Sequence, residues 1–571
     1  MNHRHNFPLG GLIRVVLVLV SLAAAYGLHY SSVEAAPTTY YVDGARGADG
    51  NTGTARDRAW RTIQKAADTM VAGDTVVVSA GDYPERVRTN RSGSSGAPIT
   101  YRAEGTVTTM GFTVRADYVT IQGFQVTRTA NAWDDGIGIF VEGSYCKVLD
   151  NTVRNATRGG IMVFAAQGQE GQRRNCEIRG NRLGENSQYG IVVHGRDHLV
   201  ADNEVWGTIQ YHPNWTNPPG YMDADGIRFF GTGHVFRGNY IHDINFSDPE
   251  NDNPHIDCFQ TWDGADTEAA SDILFEQNYC ENLETHAVGE NGSGFMLDDA
   301  KQITIRNNVI LAFGGIIAAK NNNSHLTIVN NTFVSDLSFP TNRFPKGIGM
   351  EGCTYTTIKN NIFYNMPSHA VEVVSGPTTG LETSHNLMYR SDGKATTHTS
   401  WPGWDDPTNQ WDVNPQFVDA GGRDYRLQAG SPAIDAGAGL GGTVPNDYNG
   451  TSRPQGSGFD IGAFEGGGSA PAPTPNPTPA PISPQPVAAI EVVVDDGDSG
   501  FSTKAGEDSW QTYAEDGAEH YGGDHHYNAV VGSGQDLATW SFDLPRDGRY
   551  EVYVWWWDSP WRPTDAPYTV H

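Results

Sequence analysis

An asparagine returns nine times through the middle of the chain, each time inside one short pattern. Alternating apolar residues lead to a pair, mostly Gly-Asn or Asn-Asn, and an apolar pair follows. Examples are CKVLDNTV, CEIRGNRL, VFRGNYIH, ITIRNNVI and TTIKNNIF. The positions are Asn151, Asn181, Asn203, Asn239, Asn278, Asn308, Asn331, Asn361 and Asn386, with gaps of 30, 22, 36, 39, 30, 23, 30 and 25. A unit near 22 residues with insertions reads as one solenoid turn per repeat. Three residues before the first eight of these Asn stands an apolar side chain such as Val148, Ile178 or Phe236; two after stands another, such as Val153, Leu183 or Ile241. Period-two alternation puts both columns inside. Stacked amides would then satisfy their own polar groups, as Asn ladders do in stacked sheets. A second strand repeats as GGIMVF, YGIVVH, DGIRFF, DCFQTW, SGFMLD, GGIIAA and KGIGME. The fold class expected is all-β, a parallel solenoid; a many-stranded sandwich would not keep one Asn in step nine times. Gly at 67 residues and only 18% charged residues suit turn-rich β structure.

The formal net charge of -29 excludes the basic footprint of a nucleic-acid binder and repels polyanions at long range. An acidic polysaccharide ligand would therefore need something positive in its site, and a bound divalent cation supplies that. The start, MNHRHNFPLGGLIR, then the apolar run Val15 to Ala25, then small residues, has the order of a secretory signal. Residues 1–36 are expected to be a signal peptide that is removed, leaving a secreted or cell-surface protein with no membrane span in the mature form, most simply a monomer. Residues 467–487 are uncharged and proline-rich, an extended spacer.

The segment YYVDGARGADGNTGTARDRAWRTIQKAADTMVAGDTVVVSAGDYPERV resembles the opening of secreted right-handed β-helix polysaccharide lyases, especially the family-nine type. The resemblance covers Thr38 to Glu465. It implies a right-handed parallel β-helix over 37–466, capped by a short helix within Trp60 to Met70. The stretch SPAIDAGAG…DYNGTSRPQGSGFDIGAFE is similar to the ends of bacterial surface β-helices and is expected to close the solenoid. Residues 488–571 resemble the golvesin C-terminal-like β-sandwich, an accessory of secreted lyases. A closing strand is expected after YTVH, so this domain reads as truncated.

The longest gaps, Asn203 to Asn239 and Asn239 to Asn278, are neighbours, so their inserted loops should meet on adjacent rungs, where function collects. They carry Trp215, Tyr221, Asp223, Asp225, Asp248, Glu250, Asp252, His255, Asp257 and Trp262. Aligned second strands place Asp225 and Asp257 in one column, ~4.8 Å apart along the axis. Like charges so close need a cation or a shared proton. Asp223, Asp225, Asp252 and Asp257 are the expected Ca²⁺ ligands, in line with the calcium site that the lyase resemblance implies. That resemblance also implies a Lys base in a Gly-Phe-Lys-Leu strand, but here SGFMLDD puts Met296 there, and a thioether cannot take a proton. His255 is the expected base, with Arg228 as the clamp on the substrate carboxylate. Trp215, Tyr221, Gln260, Trp262 and Lys320 are the expected substrate-binding residues.

The column Cys146, Cys176, His198, His234 spells a zinc set, but four rungs span about 14 Å while zinc ligands lie within ~2.3 Å of one ion. A buried thiol stack is expected there, and core packing for most of the five cysteines. The function expected is calcium-assisted β-elimination of a uronate-containing glycan. An inverting hydrolase of polygalacturonase type is the alternative, because DADGI and HIDCF resemble that family's catalytic strands. A noncatalytic glycan-binding surface protein is the third reading.

Overall fold

The computed structural model describes residues 36–165, 173–210, 223–245, 256–264, 268–284, 292–312, 315–335, 337, 346–376, 379–396 and 406–466, and four short strands between 501 and 540. The chain divides into two units, 1–482 and 483–571.

Between Val119–Gln122 and Leu387–Tyr389 the strands of the first unit pair in parallel with the third strand along the chain, as Lys147–Leu149 does with Glu177–Arg179, and that with Leu199–Ala201. Three strands therefore make one turn, and three parallel sheets run along the axis. The expected inward columns are inside: Val148, Ile178, Val200, Phe236 and Phe275 are at most 2% exposed, as are Val153, Leu183, Val205 and Ile241. The helix Ile63–Thr69 buries Ile63, Ala66 and Ala67 near the start of the solenoid, capped by the Thr62 side chain on the Lys65 N–H.

The Asn column is a continuous ladder. Each Oδ1 accepts the backbone N–H and the side-chain N–H of the Asn one rung before, as between Asn181 and Asn203 (3.0 and 2.9 Å) and between Asn278 and Asn308 (3.0 and 2.9 Å). Each Nδ2 also donates to a carbonyl, as Asn203 does to Ile178 O at 2.8 Å. The ladder has a tenth member, Asn409. The residue before each of the nine Asn from Asn151 to Asn386 has a left-handed backbone, from Asp150 (φ 55°) and Gly180 (66°) to Asn330 (53°) and Asn360 (58°). Gly, Asn and Asp tolerate that region best, which explains the Gly-Asn and Asn-Asn spelling.

Those left-handed residues have a second use. Gln277, Asn307, Asn330 and Asn360 donate from their side chains to the carbonyls of Asp447, Asn446, Asp460 and Ala438 (2.6–2.9 Å). The segment expected to close the end of the solenoid instead lies along its flank. There Phe417, Tyr425, Ile461 and Phe464 pack on Val309, Val334, Ile362 and Leu387, which face outward. The apolar outer face of those rungs leaves a stripe that must be covered, and this segment covers it. Inside the segment Arg453 and Glu465 pair at 2.6 Å, both fully buried.

Cys146 and Cys176 are buried thiols. Cys258 and Cys280, expected as core packing, form a disulfide with Cα atoms 6.5 Å apart. The two strands lie on different sheets of one turn, and spacing along the chain gives no view of that approach. In the second unit, Phe501–Lys504 pairs antiparallel with Leu537–Trp540, and Gln511–Tyr513 with His525–Tyr527. No helix among the described residues is long and apolar enough to cross a membrane.

Candidate functional site

Five consecutive rungs of one sheet build the site: β1 (Tyr189–Val193), β2 (Asp225–Phe229), β3 (Ile256–Thr261), β4 (Gly292–Asp298) and β5 (Gly315–Lys320). The register Ile227↔Phe259 and Arg228↔Gln260 sets Asp225 beside Asp257. Asp257 in turn pairs with Ser293, and Gln260 with Met296. Gly226 follows Asp225 because the chain turns inward there: a Cβ would lie 2.7 Å from Ile241 and 2.8 Å from the Cys258 carbonyl.

The two carboxyls form a short ladder of their own. Asp225 Oδ1 accepts the Asp257 N–H at 3.0 Å, and Asp257 Oδ1 accepts the Ser293 N–H at 3.0 Å. Asp225 is fully buried and Asp257 is 2% exposed. Burial pushes the Asp225 carboxyl up to about 7, against the pull of Arg228. Burial raises Asp257 well above the carboxylate range, and the charges of Asp225 and Asp223 add to it. Both shifts favour the protonated form of the pair.

Arg228 lies across Asp225. Its Nε donates to Asp225 Oδ2 at 2.6 Å, and its Nη2 sits 3.7 Å from Asp223 Oδ2 and 3.4 Å from the Gln188 carbonyl. Its guanidinium carbon is 5.4 Å from the Tyr189 ring centre and 5.5 Å from that of Trp262, within reach of cation–π attraction. Burial works against this charge, but Asp225 and Asp223 outweigh it and raise its pKa further. Trp262 also meets Phe230 edge to face at 4.7 Å, and Phe230 stacks on His194 at 4.7 Å. These rings belong to a small apolar cluster with Tyr189, Val192 and Met162.

Several expectations need revision. Arg228, the expected clamp on a substrate carboxylate, has a side chain 13% exposed and ion-paired to Asp225. The four-Asp calcium shell does not form among the described residues. A guanidinium holds Asp225 Oδ2, backbone N–H groups hold both Oδ1 atoms, and Asp252 lies outside the described residues. Calcium needs six to eight oxygens, so these donors do not fit it. Lys320 pairs with Asp298, three rungs beyond Arg228 or about 14 Å along the axis, and does not join the pair. Gln260 does sit next to Arg228, buried, with its Oε1 lacking a hydrogen-bond partner among the described residues. His255, Trp215, Tyr221, Asp248 and Glu250 lie outside the described residues. Tyr189 was missed, although the alignment that found Asp225 holds it: YGI and DGI occupy the same column one rung apart. Ser293 was missed for want of any charge to mark it.

Two family models match the chain. Residues 106–205 and 172–337 match "Right handed beta helix region", and residues 492–571 match "Golvesin C-terminal domain". A Bacillus subtilis (strain 168) protein described as uncharacterized protein YwoF is 30% identical over 176 residues, 28% of this chain and 36% of that protein; the match thus spans about a third of its length. Among solved structures, pectate lyase Pel9A is 19% identical, with 76% of this chain and 98% of that one covered and a TM-score of 0.46. A GH136 lacto-N-biosidase from Eubacterium ramulus is 13% identical, with 62% and 68% covered and a TM-score of 0.44. The three-strand parallel register and the two matched families together make this chain a right-handed parallel β-helix protein with a golvesin C-terminal domain.

Proposed function

We propose that this protein is an extracellular enzyme that cleaves a uronate-containing polysaccharide by β-elimination. The observation that carries the reading is the buried Asp225–Asp257 pair beside a guanidinium, whose carboxyls burial pushes toward the protonated form. In elimination a base removes the proton next to the uronate carboxylate. The glycosidic C–O bond then breaks, and the leaving oxygen takes a proton. Asp257 supplies that proton, as carboxyls with raised pKa do in other glycan-cleaving sites. Arg228 faces the uronate carboxylate. His255, two residues before Asp257, is the base under this reading, since Met296 stands where a Lys would serve.

A hydrolase is the second reading, and the same raised carboxyl favours it: Asp257 would protonate the glycosidic oxygen while Asp225 activates water. Incubation with a panel of polyuronates, with and without chelator, separates the readings. Elimination gives absorbance from an unsaturated product together with new reducing ends. Hydrolysis gives reducing ends alone. The absence of both on every polyuronate overturns the enzyme reading.

A further inference from the structure

The Asp pair poses a charge problem that the fold answers internally. Two buried carboxyls on adjacent rungs, with Asp223 close by, need a counter-charge. Arg228 supplies one: its Nε holds Asp225 at 2.6 Å, and its Nη2 faces Asp223 at 3.7 Å. The Tyr189 and Trp262 rings lie 5.4 and 5.5 Å from the guanidinium carbon, within cation–π reach. Among the described residues no group is bonded to Nη1. A guanidinium is always charged, and its planar fork matches a carboxylate.

We propose that Arg228 is the resident cation of this site and the receptor for a uronate carboxylate. It stands where a divalent ion would, and its Nη1 edge takes the ligand without a metal. The proposal rests on the uronate reading above and names the group that recognises the uronate.

The test is calorimetric titration of the full chain with trigalacturonate, and with a neutral galactose trisaccharide as control, in EDTA and in calcium chloride. Trigalacturonate affinity is expected to agree within about twofold between the two buffers. Arg228→Lys, which keeps the charge but loses the fork, is expected to weaken it about tenfold. Arg228→Met is expected to abolish it without changing any response to the neutral sugar. Asp225→Asn separates the two accounts most sharply: with a metal shell it removes a ligand and loses binding, whereas here it frees the guanidinium and binding holds or tightens. Circular dichroism checks folding; should Arg228→Met fail to fold, Arg228→Lys and Asp225→Asn still decide. Loss of wild-type binding in EDTA, loss of binding in Asp225→Asn, or no trigalacturonate binding at all overturns the proposal. Binding that survives without any cleavage removes the catalytic reading and leaves this one standing. Cleavage that ignores Arg228 does the reverse.

Discussion

Two ladders run through this solenoid, and they use the same bond for opposite ends. In the Asn ladder an Oδ1 accepts a backbone N–H from the neighbouring rung, and an Nδ2 donates on to the next amide and to a carbonyl. In the Asp ladder an Oδ1 also accepts a neighbouring N–H. There is no Nδ2, so the second oxygen must find a cation or a proton. From Asn151 to Asn386 the amide column is buried and satisfied; the carboxyl column is buried and strained in charge. Buried polar groups that pair fully hold a fold, and those that cannot are the usual mark of function.

The largest effect expected is on catalysis. Asp257→Asn keeps an acceptor for the Ser293 N–H but has no proton to give. Cleavage of the best polyuronate should fall by roughly 10²–10⁴-fold, the range for loss of a general acid, read as initial rate. A rate within a factor of about three of wild type would place the acid elsewhere.

Next comes the reverse exchange. Asn278→Asp puts a carboxyl where Nδ2 now faces Asn308 Oδ1 and the Phe236 carbonyl. Two acceptors lose their donor and a charge is buried, costing on the order of 3 kcal/mol at pH 7. Urea unfolding should show the loss, and acid should relieve part of it as the carboxyl takes up a proton. An unchanged midpoint would mean that the ladder is decoration.

Asp257→Asn should also act on stability, in the opposite direction. Removing a buried ionisable group with no guanidinium of its own should raise stability at pH 8 by about 1 kcal/mol, even as activity falls. Destabilisation in the same unfolding assay would show that the carboxyl is structural.

These exchanges also show what the sequence made legible. The nine-fold Asn spacing carried the solenoid, because each ladder residue must recur once per turn and be preceded by a residue at ease in the left-handed region. The same register carried Asp225 beside Asp257. Arg228 bonded to Asp225 was harder to see. The two are three apart in sequence, where strand alternation alone sets them on opposite faces. The flanking segment was misplaced at the end of the solenoid, because its partners, Gln277, Asn307 and Asn330, lie more than 100 residues away. Loop residues such as His255 have no period at all, and spacing could only bring them near the site.

The last expected effect is a slope. Asp225 titrates from an ordinary 3.8 up to about 7 in the fold, and Asp257 moves the same way. The folded chain therefore holds protons that the unfolded chain has released. Their contribution to stability is fullest below the unfolded value and is lost as pH rises from about 4 to about 7. Urea midpoints across that window should decline more steeply in wild type than in Asp257→Asn. Equal slopes would remove the pair from the linkage.

The central claim is that the carboxyl ladder holds a proton at neutral pH while the rest of the acidic surface is ionised. Infrared titration of the carboxyl C=O stretch, with Asp225→Asn and Asp257→Asn as references, reads that proton directly. A protonated-carboxyl band in the wild type that persists to about pH 6–7, and is lost or shifted in either variant, is the result predicted here. Complete ionisation of the wild type by about pH 5, with both variants indistinguishable from it, would contradict it.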